Sequence, residues 1–395
     1  MSRNLVDLLL VFTGIIIFLS WFFHQLKDLI RLPSKTFFKR QRFKYPSLLF
    51  FLIGIPIYLV NRDPFDLNAV ADLQKISSST YKIYCWLVAL AISAVWLRYI
   101  LKLDIFEKEK WQHIAAVFVM SFVTTYGCDI LYPLFSTFGF ELNGNIANDF
   151  IYCIFGIGLI EETVKIIPFL ILLKFTKAIN EPYDYLLYAS VAALGFAFAE
   201  NILYLNSYGI HIAAGRAFYA AVAHMTFCST AVYGLLLKKY RFTTYPGPLV
   251  FIVFFFIAIF IHGFYDFWLI NKKVANFKGI TTLFLLITIH LWFTMKNNAI
   301  NISPFYKKYL ILDNDKLKRY LIISLVSIFM FSYFYVALFY GRLEANSFFW
   351  KNVMAYGYVV FYLIIRFSSY TIIKGKRIPL NVPFSFIVPA LKKQK

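Results

Sequence analysis

The sequence predicts an all-α fold, a polytopic bundle of about eleven transmembrane helices built around a central four-helix core. Three observations predict it. Hydrophobic residues make up 60% of the chain and charged residues only 15%, where a soluble domain carries about 25% charged residues. Apolar runs recur from Leu5–Phe23 to Leu321–Tyr340, each near the roughly 20 residues that a helix needs to cross a bilayer. The ionisable residues that fall inside such runs gather in the middle of the chain instead of scattering along it.

In chain order the spans are expected near 5–23, 47–60, 83–101, 112–137, 148–173, 183–205, 212–237, 247–270, 279–295, 320–341 and 353–372. Each should be a helix, because hydrocarbon offers no water to an open strand edge. The first run has no small-residue cleavage site before the basic stretch that starts at Lys27, so it reads as a retained anchor and not a signal peptide. The second is short and holds Gly54 and Pro56, which favour a kinked or re-entrant path. The connection around 24–46 mixes basic residues with Phe37, Phe38, Phe43 and Tyr45. That pattern suits an interfacial helix on an anionic surface and an ordinary basic loop equally well.

The 40 Lys and Arg against 20 Asp and Glu would point to nucleic acid in a soluble protein. Here they lie in short segments between apolar runs, so the lipid bilayer is the expected partner and nucleic acid is not. Alternate connections and the C-terminal tail carry 28 of them and the opposite side 9. This bias predicts an N-terminus outside and a C-terminus in the cytoplasm, although the segment with Lys272, Lys273 and Lys278 runs against it. No connection is long enough for a soluble domain, and no internal repeat is visible. Cys85, Cys128, Cys153 and Cys228 all fall within spans, with no disulfide framework and no CxxC pattern.

A charge deep in a bilayer costs about 2.5–3.5 kcal/mol on insertion scales, so each one needs a reason. Spans five to eight hold Glu161, Glu162, Lys165, Glu200, His224, His262 and Asp266. In the four spans before them the only deep ionisable residue is Asp129, and the notable residues of the three after are His290 and Arg366. Glu161, Glu162 and His224 sit near the middle of their spans, His262 slightly past it and Glu200 toward the outer part, so antiparallel helices can bring them to similar depths. Glu161 and Lys165 are four residues apart and share a helix face, as do His262 and Asp266. Two imidazoles and a carboxylate from separate helices suit a borderline divalent metal such as zinc. A further carboxylate can take a proton from a bound water whose pKa the metal lowers to about 7. Lys165 would offset one of two adjacent negative charges, and Asp266 is placed to orient His262 or to ligate directly.

These residues carry a resemblance. Glu161-Glu162-Thr163-Val164-Lys165 resembles the EExxK motif of the PrsW-type intramembrane proteases, relatives of the CAAX prenyl endopeptidases and bacteriocin-processing proteases. Phe196 to Asn201 is similar to that family's FxxxEN motif, His224 with the following Gly234 looks like its third, and His262-Gly263-Phe264-Tyr265-Asp266 resembles its HGxYD. Glu181-Pro182-Tyr183-Asp184 is also similar to the family's pattern. The likeness covers roughly 148–270, with the motifs in order. It implies a membrane-embedded endopeptidase with Glu161, Glu162 and Lys165 as catalytic residues. It implies His224 and His262 as metal ligands, and Glu200 as a third, because the CAAX relatives have a histidine there. Asn201 and Asp266 are expected to support or join this set, and zinc is the expected cofactor. The CAAX relatives use the first glutamate of their motif to activate water, so Glu161 is the expected general base. The implied substrate is a membrane-anchored protein, and the type member is associated with a membrane-bound anti-sigma factor. The implied location is a bacterial inner membrane.

The chain then divides into N-terminal spans (1–147), a catalytic helical core (148–272), and C-terminal spans with a basic tail (273–395). A proton- or ion-coupled transporter would also use buried carboxylates and histidines, but with two matching, Gly/Pro-broken halves that the sequence lacks. A non-catalytic membrane scaffold would not need the full polar set. Asp129, His290 and Arg366 read as structural, Arg216 as an interface residue ahead of a donor to a substrate carbonyl, and Tyr265 as aromatic packing ahead of a donor to an oxyanion.

Overall fold

A computed structural model of the chain describes residues 78–241, 244–310, 313–367 and 372–376. All regular structure among them is helical, as the composition predicts. The helices are α1 (Ser78–Leu103), α2 (Trp111–Thr124), α3 (Gly127–Thr137), α4 (Ile146–Ile151), α5 (Leu159–Phe175), α6 (Pro182–Tyr208), α7 (Ala221–Tyr240), α8 (Gly247–Ile270), α9 (Gly279–Asn301), α10 (Asn314–Tyr340) and α11 (Arg342–Phe367). A π-helical segment, Tyr152–Gly158, joins α4 to α5 without a break, and a second, Arg216–Ala220, leads into α7. Seven stretches of the described residues are long and apolar enough to cross a membrane, among them Pro182–Tyr208, Ile210–Tyr240 and Gly247–Ile270. The spans expected at 5–23 and 47–60 lie outside the described residues, as does the connection between them. The remaining nine fall on helices where they are described, residues 368–371 of the last lying outside the described residues, with one interruption: a turn at Thr125–Tyr126 splits 112–137 into α2 and α3.

The layering follows from which helices can afford contact with lipid. In the most apolar windows of Pro182–Tyr208 and Ile210–Tyr240, 83% of residues are buried inside the protein, against 22% for Gly247–Ile270. Helix α6 is therefore the centre, packed by α1, α2, α5 and α7, and α8 lies outside α7. Phe256, Phe260 and Leu249 on α8 are exposed, an arrangement that would be a liability in water and is ordinary against acyl chains. Pro182 opens α6 at a position where its missing N–H costs nothing. Glu181 and Asp184 close the same end with a capping box, satisfying amides that lipid or protein would otherwise leave bare.

Two close approaches set the position of the polar residues. A Cβ on Gly263 would lie 2.4 Å from Ile154 Cα, and one on Gly158 would lie 2.6 Å from Ile259 O. Only glycine lets the π segment and α8 touch backbone to backbone, as small residues do at many membrane helix interfaces. On α6, a Cβ at Gly195 would lie 2.4 Å from Phe118 O, which presses α2 onto the helix five residues before Glu200.

Candidate active site

Glu161, Glu162 and Lys165 occupy the first turns of α5, directly after the π segment. A π turn rotates the residues that follow it and recurs where helices aim functional groups. Lys165 is fully buried, and its Nζ lies 3.0 Å from Glu161 Oε2, 3.0 Å from Glu162 Oε1 and 2.9 Å from His224 Nδ1. Beneath it the Phe196 ring centre stands 4.1 Å away. His262 Nδ1 meets Glu162 Oε1 at 2.8 Å, while its Nε2 lies 3.2 Å from Asp266 Oδ2 and 3.5 Å from Glu161 Oε2. His224 Nε2 meets Glu200 Oε2 at 2.7 Å. Arg216 grips the same Glu200 oxygen at 2.6 Å through Nη2 and Asn201 Oδ1 at 2.6 Å through Nε. The eight residues expected from the sequence thus form one connected network across α5, α6, α7 and α8.

A cavity of about 590 Å³ opens on one side of this network. Glu161, Glu200, His224, His262 and Asp266 line it, while Glu162, Lys165 and Asn201 stand behind the wall. The two glutamates of the EExxK motif are therefore not equivalent. Glu161 faces the cavity, and Glu162, 1% exposed, holds the inner ends of His262 and Lys165.

The histidine protonation follows from the partners. An ammonium has no acceptor, so His224 Nδ1 accepts from Lys165 and its Nε2–H donates to Glu200. Glu162 has only lone pairs to offer, so His262 carries a proton on Nδ1. Its Nε2 then faces the carboxylates of Asp266 and Glu161, and a bare lone pair there would be repelled by both. Either a proton or a metal ion belongs on that nitrogen. The charge balance agrees: four carboxylates (Glu161, Glu162, Glu200, Asp266) meet two fixed cations (Lys165, Arg216). The three side chains whose ligand atoms all lie within 4.8 Å of one another are Glu161, His224 and His262. That donor set, one oxygen and two nitrogens from three helices, is of the kind that holds zinc, and His224 would have to exchange one of its two hydrogen bonds, to Lys165 or to Glu200, for the ion. The third ligand expected from the sequence, Glu200, is outside this trio, and its Oε2 is shared between Arg216 and His224.

The family model that matches residues 109–295 describes PrsW family intramembrane metalloproteases. A Protease PrsW from Oceanobacillus iheyensis is 31% identical over 158 residues, 40% of this chain and 72% of the relative. The chain belongs to the PrsW family. A Protease PrsW from Geobacillus kaustophilus is 27% identical over 178 residues, 45% of this chain and 76% of the relative. One from Clostridioides difficile is 30% identical over 141 residues, 34% of this chain and 57% of the relative. No solved structure matches. Membership supports an intramembrane protease in a multi-pass membrane protein, and the match includes α2 and α3, which lie before the four PrsW motifs.

Two site residues escaped the sequence reading. Tyr132 on α3 donates to Glu161 Oε1 at 2.8 Å and lines the cavity. Nothing marks it among 28 tyrosines, and the α2–α3 break that aims it carries no glycine or proline at the turn itself. Arg216, expected at the membrane interface, lies in the cavity wall with Tyr204 stacked 4.3 Å from its guanidinium carbon. Its signal was present: an arginine inside a span four helices deep needs a carboxylate, and Glu200 was the unpaired one nearby. Asp129 is exposed on α3, apart from the network.

Proposed function

We propose that the chain hydrolyses a peptide bond of a membrane-anchored protein, with Glu161 accepting the proton of the attacking water. The observation that carries this reading is the asymmetry of the glutamate pair, with Glu161 on the cavity and Glu162 behind it. Tyr132 pins Glu161 Oε1 and Lys165 holds Oε2, so the carboxylate is oriented before water binds. Glu161 then returns that proton to the leaving amine. Glu162 fixes the His262 ring through Nδ1, and Lys165 does the same for His224. Arg216 clamps Glu200 against His224 and closes that wall. A metal such as zinc, when bound, would be held by His224 and His262 with the Glu161 carboxylate in reach of both, and would polarise the scissile carbonyl.

The substrate class follows from the setting. A cavity walled by membrane helices admits a chain that reaches it through the bilayer, as a single-span protein of the anti-sigma-factor kind would. The basic bias supports an N-terminus outside and a cytoplasmic C-terminus. Single cysteines at positions 40, 143 and 390 should label from the inner, outer and inner sides, and labelling of all three from one side overturns that arrangement. The function itself is tested by co-expressing a single-span reporter and following its cleavage. Cleavage should depend on Glu161, and an inert wild-type chain with a panel of single-span reporters would count against the protease reading.

A further inference from the structure

At the far end of α6 from the cavity lies a second carboxylate cluster that the protease reading does not use. Asp104, Glu107 and Glu109 come from the connection between α1 and α2, and Asp184 comes from the first turn of α6. An oxygen from each of Glu107, Glu109 and Asp184 lies within 4.8 Å of those of the other two. Asp104 joins them by accepting the Glu109 amide through Oδ2 at 2.9 Å.

The pattern of hydrogen bonds is what singles it out. Each of three carboxylates is anchored through one oxygen and leaves the other bare. Asp104 uses Oδ2 for the Glu109 amide, Glu109 uses Oε2 for the Tyr188 hydroxyl, and Asp184 uses Oδ2 for the amides of Asn180 and Glu181. Asp104 Oδ1, Glu107 Oε2, Glu109 Oε1 and Asp184 Oδ1 are buried and accept no hydrogen bond from an amide, hydroxyl or ammonium, and the Glu109 and Asp184 carboxyls stand within hydrogen-bond reach of each other. The side chains of Asp104 and Asp184 are 1% and 0% exposed, too deep for bulk water to satisfy those oxygens. A buried acceptor left unpaired is costly and rare, and four in one place call for a shared partner. No ion pair among the described residues reaches any of the four; Lys108, between Glu107 and Glu109 in sequence, attracts Asp104 from beyond ion-pair distance and bonds Leu101 O.

We propose that these four carboxylates form a binding site for a hard divalent cation of the Mg2+ class. All donors are oxygens, with no histidine or cysteine among them, which selects Mg2+, Mn2+ or Ca2+ over zinc. Three of the four are held in place by hydrogen bonds to the backbone or to Tyr188 before any cation arrives. The site would tie the α1–α2 connection to the start of α6. Through the hydrogen bond from Ser303 to Glu181 it would also reach the segment after α9. Glu200 stands 19 residues beyond Glu181 on α6, about 28 Å at 1.5 Å per residue, so this cation braces the helix at a distance and takes no part in hydrolysis.

The test uses the full chain in detergent, stripped with a chelator, with Mn2+ binding followed by electron paramagnetic resonance and Mg2+ as competitor. Wild type should bind Mn2+ displaceable by Mg2+, and a His224→Ala/His262→Ala variant should retain that binding, which separates it from the cavity. Glu107→Gln and Glu109→Gln should each weaken it at least tenfold. Both should also melt no lower than wild type in the absence of cation, because each removes a like charge. Loss of Mn2+ binding in the histidine variant, unchanged affinity in both glutamine variants, or no Mn2+ binding by wild type would each overturn the proposal; the last would mean that the carboxylates share protons instead.

Discussion

The two ends of α6 handle buried acid in opposite ways. At the cavity end each carboxylate has a charged or ionisable partner on another residue: Lys165 for Glu161 and Glu162, Arg216 and His224 for Glu200, His262 for Asp266. At the other end Asp104, Glu109 and Asp184 are held by amides and a hydroxyl, which fix position but supply no positive charge. A dry carboxylate needs both a fixed position and a counter-charge. The cavity end obtains both from its own chain, and the opposite end obtains only the first.

That contrast can be broken most sharply at Glu161. Glu161→Gln should insert and fold normally, yet lose about 10²- to 10⁴-fold in cleavage of a membrane-anchored reporter. Metal analysis on the same preparation sharpens the result: retained metal marks Glu161 as a base alone, and lost metal marks it as a ligand. Near-normal cleavage would remove it from the chemistry. Next in size is Lys165→Met, which strands two buried carboxylates and should destabilise the chain by about 3–5 kcal/mol. The paired end is then the fragile one, and an unchanged melting temperature would show that the ion pairs of the cavity are not what holds it.

The unpaired end should respond with the opposite sign and to pH. Folded Glu181 keeps its proton to about pH 7, whereas the unfolded residue releases it near 4.5. Between those values the folded chain binds more protons, so stability should fall as pH rises through that window. Asp104 and Glu109, raised by burial, add to the same trend, while Lys108, itself lowered by burial, offers little relief. The slope should total about 1–3 kcal/mol, and Glu181→Gln should flatten it in thermal melts taken across the window. A slope that survives this substitution would assign the trend to the other carboxyls. The smallest effect is expected at Tyr132→Phe, which removes one hydrogen bond to Glu161 and should cost about 1 kcal/mol in the barrier, roughly fivefold in cleavage rate. A drop as large as that of Glu161→Gln would instead put the phenol among the reacting groups.

The helical bundle and its polar residues were readable in advance because both come from local rules. Hydropathy marks where a chain enters lipid, and a charge inside a span advertises a partner. That reasoning brought Glu161, Lys165, His224 and His262 onto one list, and the structure brings them into one network. Its choice of Glu161 over Glu162 came from the resemblance to the CAAX relatives and the face shared with Lys165, because which neighbour faces a cavity depends on the rotation that the π segment imparts before α5. It placed Arg216 at the membrane interface for the same reason, since a second π segment turns that residue inward. Tyr132 was invisible because its role depends on the break between α2 and α3. The carboxylates of the α1–α2 connection lie outside the spans, where acidic residues are ordinary, so nothing in their pattern called for a partner until folding buried them.

The contact of Gly158 and Gly263 has a mechanical consequence. With no side chain between the two backbones, α8 cannot slide along the helix that carries Glu162 without driving one main chain into the other. A bilayer that thickens or thins must therefore be met by tilting the two helices as a unit, which is how spanning helices usually absorb mismatch. The distance from Glu162 to His262, set one residue from that contact, would stay constant while lipid composition changes around it.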